Sequence, residues 1–170
     1  IYYDHHGLYE VSVKIPLIVK PPNPLISGIE IDELVQITDI VPTVADYANI
    51  EIKSQGFSLR PNIDGEIGPC RDGLLIEERH TQSRRCILTE NYKLIYDLDD
   101  KQICRYCGVR HAPETELYNI YSDPHELTNL AYSEPDKVRN LKKQAEKMAE
   151  NYLNQKPSPR NSVGISYRDE

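Results

Sequence analysis

The chain has 170 residues, a formal net charge of −7, and 20 Lys+Arg against 27 Asp+Glu. That length holds one domain or one and a half and is enough to bury a core. The acidic balance excludes a general nucleic-acid-binding role but leaves room for a local basic pocket that takes an anion. No apolar run approaches transmembrane length, and no charged region followed by an apolar stretch marks a signal peptide, so no membrane span is expected and the compartment is left open. Ile1 is not Met and the first residues read as the middle of a loop, so the sequence is expected to be a piece of a longer protein.

In chain order, Asp4-His5-His6-Gly7 is a polar, glycine-broken loop that feeds Val13 to Val19. This β-branched run, closed by Pro21-Pro22, reads as a strand buried on both faces. Imidazoles at the end of such a strand sit where α/β proteins keep their chemistry, which makes His5 and His6 the first candidates. Ile29 to Ile37 alternates imperfectly and is read as a second strand. Asp39 is an N-cap candidate, Pro42 fits the first helical turn, and Ile40, Val44, Tyr47 and Ala48 share one face. Asn49 suits a left-handed helix end. Residues 51 to 72 are loop-like and carry Gly56, Pro61, Gly65, Gly68 and Pro69, the expected boundary. Beyond it, Gly73 to Glu78, Arg85 to Glu90 and Lys93 to Leu98 read as strands, with a tight turn at Glu90-Asn91. Asp97 to Pro113 is a polar loop. Glu116 to Tyr121 is one more strand, ended by Ser122-Asp123-Pro124. Ser133 caps a last helix with Pro135 in its first turn, and Val138, Leu141, Ala145, Met148 and Tyr152 form its apolar stripe. A loose tail follows from Pro157.

The fold class is therefore α/β, turning to α+β in the second half. Residues 1–65 are the closing strands and helix of an α/β domain, 66–155 a small antiparallel sheet packed by the carboxyl-terminal helix, and 156–170 a tail. The four cysteines are Cys70, Cys86, Cys104 and Cys107. Cys104-x2-Cys107, followed by Gly108 and His111, reads as a structural zinc knuckle completed either by Cys70 and Cys86 or by His111. The competing readings are free thiols and a Cys70–Cys86 disulfide. A binding module built on four zinc-ligating cysteines is the non-enzymatic alternative. Glu77-Glu78-Arg79-His80 reads as a solvated hairpin end.

Several strings in this order resemble type I sulfatases of the alkaline phosphatase superfamily. Gly7-Leu8-Tyr9-Glu10 followed by Val13 to Val19 is similar to the family's "YE-x-S-x-R-x-P-L-I-V". Leu34-Val35-Gln36-Ile37-Thr38-Asp39-Ile40-Val41-Pro42-Thr43 resembles "LVS-x-x-D-x-x-PT", and Gly56-Phe57-Ser58-Leu59 resembles "G-x-SL". Tyr92-Lys93-Leu94-Ile95 looks like "YKLI". Glu116 to Asn119, with Asp123-Pro124-His125-Glu126 and Asn129-Leu130, resembles "ELYDL-x-x-DP-x-E-x-x-NL". The resemblance covers only the carboxyl-terminal part of such an enzyme and implies the end of its large α/β domain plus its small sheet. It implies hydrolysis of a sulfated small molecule or sulfated sugar, with a formylglycine nucleophile and a divalent cation, usually calcium, on an amino-terminal part of the same enzyme. The nucleophile motif C/S-x-P-x-R does not occur in these residues, so the fragment alone is expected to be inactive. The family often places a sulfate-binding Lys four residues before the "YE" tyrosine; His5 stands at that position, and His6 is beside it. An imidazolium there would stabilise the ester oxygens or protonate the departing alcohol. The same superfamily includes phosphodiesterases and phosphonate monoester hydrolases, which form the alternative enzymatic reading. Glu10 is expected to accept N–H groups of its own loop. In the resembling enzymes, loops of the small domain lean over the active site, so the resemblance implies that His80 or Arg79 touches the part of the substrate that carries no sulfate.

Overall fold

Alternating apolar residues in the second half assemble the sheet that organises everything else. The computed structural model describes residues 7–22, 28–79, 82–99, 103–104 and 106–154. Strands β1 (Leu74–Glu78), β2 (Arg84–Leu88), β3 (Tyr92–Asp97) and β4 (Thr115–Asn119) pair antiparallel in the order β1-β2-β3-β4. Leu74 lies opposite Leu88, Cys86 opposite Ile95, and Ile95 opposite Glu116. The β2–β3 turn is the two-residue Glu90-Asn91 link expected from the sequence: the Thr89 N–H donates to Tyr92 O at 2.8 Å, and the Thr89 hydroxyl accepts the Tyr92 N–H at 3.1 Å.

Period-two alternation gives the sheet two different faces. One presents Ile87, Leu94, Tyr96 and Leu117 to the helix Pro135–Asn154, which buries Leu141 and Ala145 against them and packs Val138 and Met148 beside them. Each such aliphatic side chain contributes about 1.5–3 kcal/mol of transfer free energy. The other face presents Cys86, Ile95 and Tyr118, covered by Leu8 with Tyr9, Val13, Ile76 and Ile120 at the margin. It also presents Arg84, Lys93 and Glu116, all buried.

The first half has less regular structure. Helix α1 is a single turn, Glu10–Val13. A 3-10 turn (Ile37–Asp39) leads into helix α2 (Ile40–Tyr47), and a short helix α3 (Arg60–Ile63) follows. As the sequence suggests, Asn49 closes α2 at φ +55°. Asp39 precedes α2, but its carboxylate does not cap that helix. It is fully buried and accepts N–H bonds from Gln36 at 2.9 Å and Phe57 at 2.8 Å, and from Arg71 Nη1 at 2.8 Å. Gly56 permits that approach, since a Cβ there would lie 2.0 Å from Thr38 O.

The strands expected over Val13–Val19 and Ile29–Ile37 do not form. Val13 ends α1, residues 14–20 have no regular structure, and Ile37 opens the 3-10 turn. Ile15 is 57% and Ile18 94% exposed. A strand buried on both faces needs neighbours at its edges to take its N–H and C=O groups, and no described strand pairs with either segment.

Candidate functional site

Residues 7–13 follow directly on the two histidines, and the polar face of the sheet holds them through a web of buried charge. Tyr9 Oη donates to Glu116 Oε2 at 2.7 Å, and its ring meets Tyr118 edge-on with centroids 6.4 Å apart. Glu10 is fixed twice. Its carboxylate accepts Lys93 Nζ at 3.0 Å, and its backbone N–H donates to Glu126 Oε2 at 2.7 Å. Glu126 Oε1 lies 2.8 Å from Lys93 Nζ. Glu10, expected to accept N–H groups of its own loop, instead accepts a lysine of the sheet through its carboxylate.

Local structure explains how each partner arrives. Lys93 is on the central strand β3 with its side chain wholly buried. Glu126 sits at φ +56°, an uncommon conformation for a residue with a side chain. The Asp123-Pro124 turn holds it there. Asp123 Oδ2 accepts the N–H groups of Leu127 at 2.9 Å and Thr128 at 2.8 Å. These bonds, with Thr128 first, keep the Asp123 carboxyl below its ordinary pKa.

Arg84 forms the second half of the web. Its guanidinium donates to Asp97 Oδ1, Glu116 Oε1 and Pro113 O, each at 2.8 Å. Burial opposes the charge, but Glu116 and Asp97 outweigh it and raise the Arg84 pKa. Glu10–Lys93–Glu126 has two carboxylates to one cation, whereas Arg110 Nη2, 3.4 Å from Asp97 Oδ2, matches the second carboxylate of Asp97–Arg84–Glu116. Polar hydrogens add to the cations: the Glu10 N–H on Glu126, and the Tyr9 and Tyr118 hydroxyls on Glu116 at 2.7 and 2.6 Å. Burial, then the bond to Glu116, raises the pKa of Tyr118, which keeps its proton. Buried ions removed from water are costly unless every lone pair finds a partner. The arrangement therefore specifies one seat for the Tyr9-Glu10 strap.

His5, His6 and His80 lie outside the described residues. Arg79 is exposed at the end of the β1–β2 hairpin, where its Nε and Nη2 donate to Glu77 Oε2 at 3.1 and 3.0 Å. Arg85 donates to the other oxygen of the same carboxylate at 2.7 Å. Burial pulls the Glu77 pKa up, but the two guanidinium groups win and lower it.

The cysteines divide. Cys86 is wholly enclosed between Leu8, Ile95 and Tyr118, and burial pushes its pKa up to about 12. A thiol kept protonated there offers no thiolate to a metal. Cys70 is exposed. Cys104, Cys107 and His111 come together instead, with their ligand atoms all within 4.8 Å of one another. Neither Cys70 nor Cys86 belongs to this group, and both are free thiols, not the disulfide that the sequence left open. The backbone N–H groups of Tyr106 and then Cys107 lower the Cys104 pKa to about 7.

Lys93, Glu126, Arg84 and Glu116 are not among the site residues expected from the sequence, although the first, second and fourth stand in the strings that resemble the family. The available hint is a lysine inside the otherwise apolar Leu94-Ile95 strand, since a fully buried Lys is found only when paired.

The architecture is a small antiparallel sheet packed by one helix, and comparison with known proteins places it in a sulfatase. The family model described as N-sulphoglucosamine sulphohydrolase, C-terminal, matches residues 1–155, and the chain belongs to that family. It is 29% identical over 137 residues to an arylsulfatase of Clostridium perfringens, covering 77% of this chain and 26% of that protein. It is 27% identical over 158 residues to an N-acetylglucosamine-6-O-sulfatase of Bacteroides thetaiotaomicron, covering 86% and 26%. It is 30% identical over 150 residues to arylsulfatase K of Gallus gallus, covering 81% and 26%. The structure of BT4656 in complex with its substrate D-glucosamine-2-N,6-O-disulfate superposes with a TM-score of 0.55 at 23% identity, covering 72% of this chain and 25% of that one. The chain is thus the carboxyl-terminal region of a sulfatase, and it spans about a quarter of the length of the curated relatives it matches.

Proposed function

We propose that this region completes an enzyme that hydrolyses sulfate esters, and that its part is to hold a histidine-bearing loop against the substrate oxyanion. The observation that carries the reading is the double fixing of Glu10, by Lys93 at 3.0 Å and Glu126 at 2.7 Å, four residues after His6 in the chain. A loop anchored so close to its imidazoles loses little further entropy when an anion binds. His5 or His6, as imidazolium, donates to the ester oxygens and delivers a proton to the departing alcohol. Arg79, exposed at the end of the β1–β2 hairpin, and the next residue in the chain, His80, contact the part of the substrate that carries no sulfate. Relatives named as N-acetylglucosamine-6-sulfatases support a sulfated sugar as substrate.

Calcium and formylglycine do not fit the described residues. The only described group of three or more metal-ligating side chains is Cys104, Cys107 and His111, a soft donor set, whereas calcium takes six to eight hard oxygens. None of the four cysteines stands in a C/S-x-P-x-R string. In this proposal, both belong to the amino-terminal part of the enzyme, against which residues 14–57 pack their exposed apolar side chains.

The test uses the full-length enzyme. His5→Ala and His6→Ala are each compared with the parent on an aryl sulfate with calcium. At least one should lose about 10²–10⁴-fold in kcat/KM, the usual contribution of a positioned acid or base. Unchanged values in both variants would remove the histidines from the mechanism. Turnover by the 170-residue chain alone would overturn the division of labour. Faster hydrolysis of a phosphate diester than of a sulfate ester would move the enzyme to the other branch of the superfamily.

A further inference from the structure

The β3–β4 connection, residues 98–114, contains no helix or strand among its described residues. Connections of that length are uncommon inside compact domains unless something orders them. Its ends are tied to the sheet: the Leu98 N–H donates to Ser83 O at 2.9 Å, and the Asp97 N–H to Glu114 O at 3.0 Å. Its middle is folded on itself around Cys104. The Cys104 N–H donates to Val109 O at 3.1 Å, and the Gly108 N–H returns to Cys104 O at 2.9 Å. Gly108 takes φ +70°, a conformation that side chains resist. Cys104 Sγ accepts the backbone N–H groups of Tyr106 and Cys107.

We infer that Cys104, Cys107 and His111 form a zinc site that clamps this connection. The ligand atoms lie within 4.8 Å of one another. A tetrahedral zinc with bonds of about 2.3 Å to sulfur and about 2.0–2.1 Å to nitrogen sets its ligands roughly 3.5–3.8 Å apart, so small side-chain rotations seat the ion. Two thiols and an imidazole are borderline-soft donors that prefer zinc to magnesium or calcium. The N–H bonds onto Cys104 are the outer contacts that orient a thiolate ligand before the metal arrives. At present Cys107 Sγ lies 2.9 Å from His111 Nε2. Zinc replaces that contact with two bonds to itself, and both thiol protons leave to solvent. Two thiolates and a neutral imidazole balance the dipositive charge, so the loaded site carries no net charge. Cys104 is buried, while Cys107 and His111 are exposed. The fourth position therefore opens outward, where water completes the tetrahedron.

The reading is independent of the hydrolase proposal, because its readout is the metal itself. The full-length protein, reduced and stripped with chelator, is titrated with Zn²⁺ alone. The parent should bind one more equivalent than Cys107→Ala or His111→Ala, and cobalt in place of zinc should give a thiolate-to-metal charge-transfer band that both variants lose. Cys70→Ser should keep the band. Both substituted ligands are exposed, so the sheet core is untouched, and an unchanged near-ultraviolet circular dichroism spectrum verifies this. Equal zinc content in parent and variants, or a reduced parent without the cobalt band, overturns the site.

Discussion

The four strands of the sheet and the described part of residues 14–57 use the same kinds of side chain to opposite ends. Ile87, Leu94 and Ile95 are wholly buried, whereas Ile18 is 94% and Val41 and Val44 are each 63% exposed. In the sheet, every apolar residue has a partner delivered by a turn of a few residues or by the carboxyl-terminal helix. In the first half, the apolar run is equally strong, but no described strand runs beside it. Hydrophobicity specifies that a side chain is to be covered; only pairing specifies what covers it.

Four substitutions sharpen or break this contrast, and the largest effect is expected at the ionic face. Lys93→Met leaves Glu10 and Glu126 facing each other without a cation. It should cost about 3–5 kcal/mol in denaturant unfolding, and a cost under about 1 kcal/mol would mean that the strap is not seated as described. Leu94→Ala opens a cavity beneath the helix and should cost about 2–5 kcal/mol. Tyr9→Phe removes one hydroxyl from Glu116 and should cost about 1.5–3 kcal/mol, measured the same way. Ile18→Ala should change the stability of the 170-residue chain by no more than about 0.5 kcal/mol. In the full-length enzyme the same change should cost roughly as much as a core substitution, about 2–5 kcal/mol. Equal effects in the two contexts would show that residues 14–20 are surface in both.

A smaller effect depends on pH. Asp123 has a lowered pKa because the Thr128 and Leu127 N–H groups hold its charged form. Its contribution is therefore present above the unfolded aspartate value and is lost as pH falls through the lower folded value. The stability gap between the parent and Asp123→Asn should be constant near neutrality and shrink only in strong acid. A gap that widens on acidification would reverse the sign assigned here.

The second half of the fold was legible because its signals are local. Alternation in Tyr92 to Asp97, the two-residue Glu90-Asn91 turn and the stripe from Val138 to Met148 each lie within a few residues. Asp39 misled, because an acidic residue before a helix resembles a cap whatever its carboxylate goes on to bind. The site was legible in its pieces and not in its assembly. Tyr9-Glu10, Lys93, Glu116 and Glu126 all fall in strings with a family resemblance, yet their contacts join residues 83, 107 and 116 positions apart. Cys104 and Cys107 declared themselves by spacing, whereas Cys86 is read correctly only once the register places it opposite Ile95 inside the sheet.

The contacts that fasten Tyr9 and Glu10 also set a timetable for synthesis. The strap leaves the ribosome before any of its partners, and Glu126 is translated 116 residues after Glu10. Until the Asp123 turn has emerged and folded, the Glu10 N–H has no acceptor and Lys93 holds only one of its two carboxylates. Ribosome-stalled chains that end before Glu126 should therefore leave this stretch open to protease, and chains long enough to expose it should close.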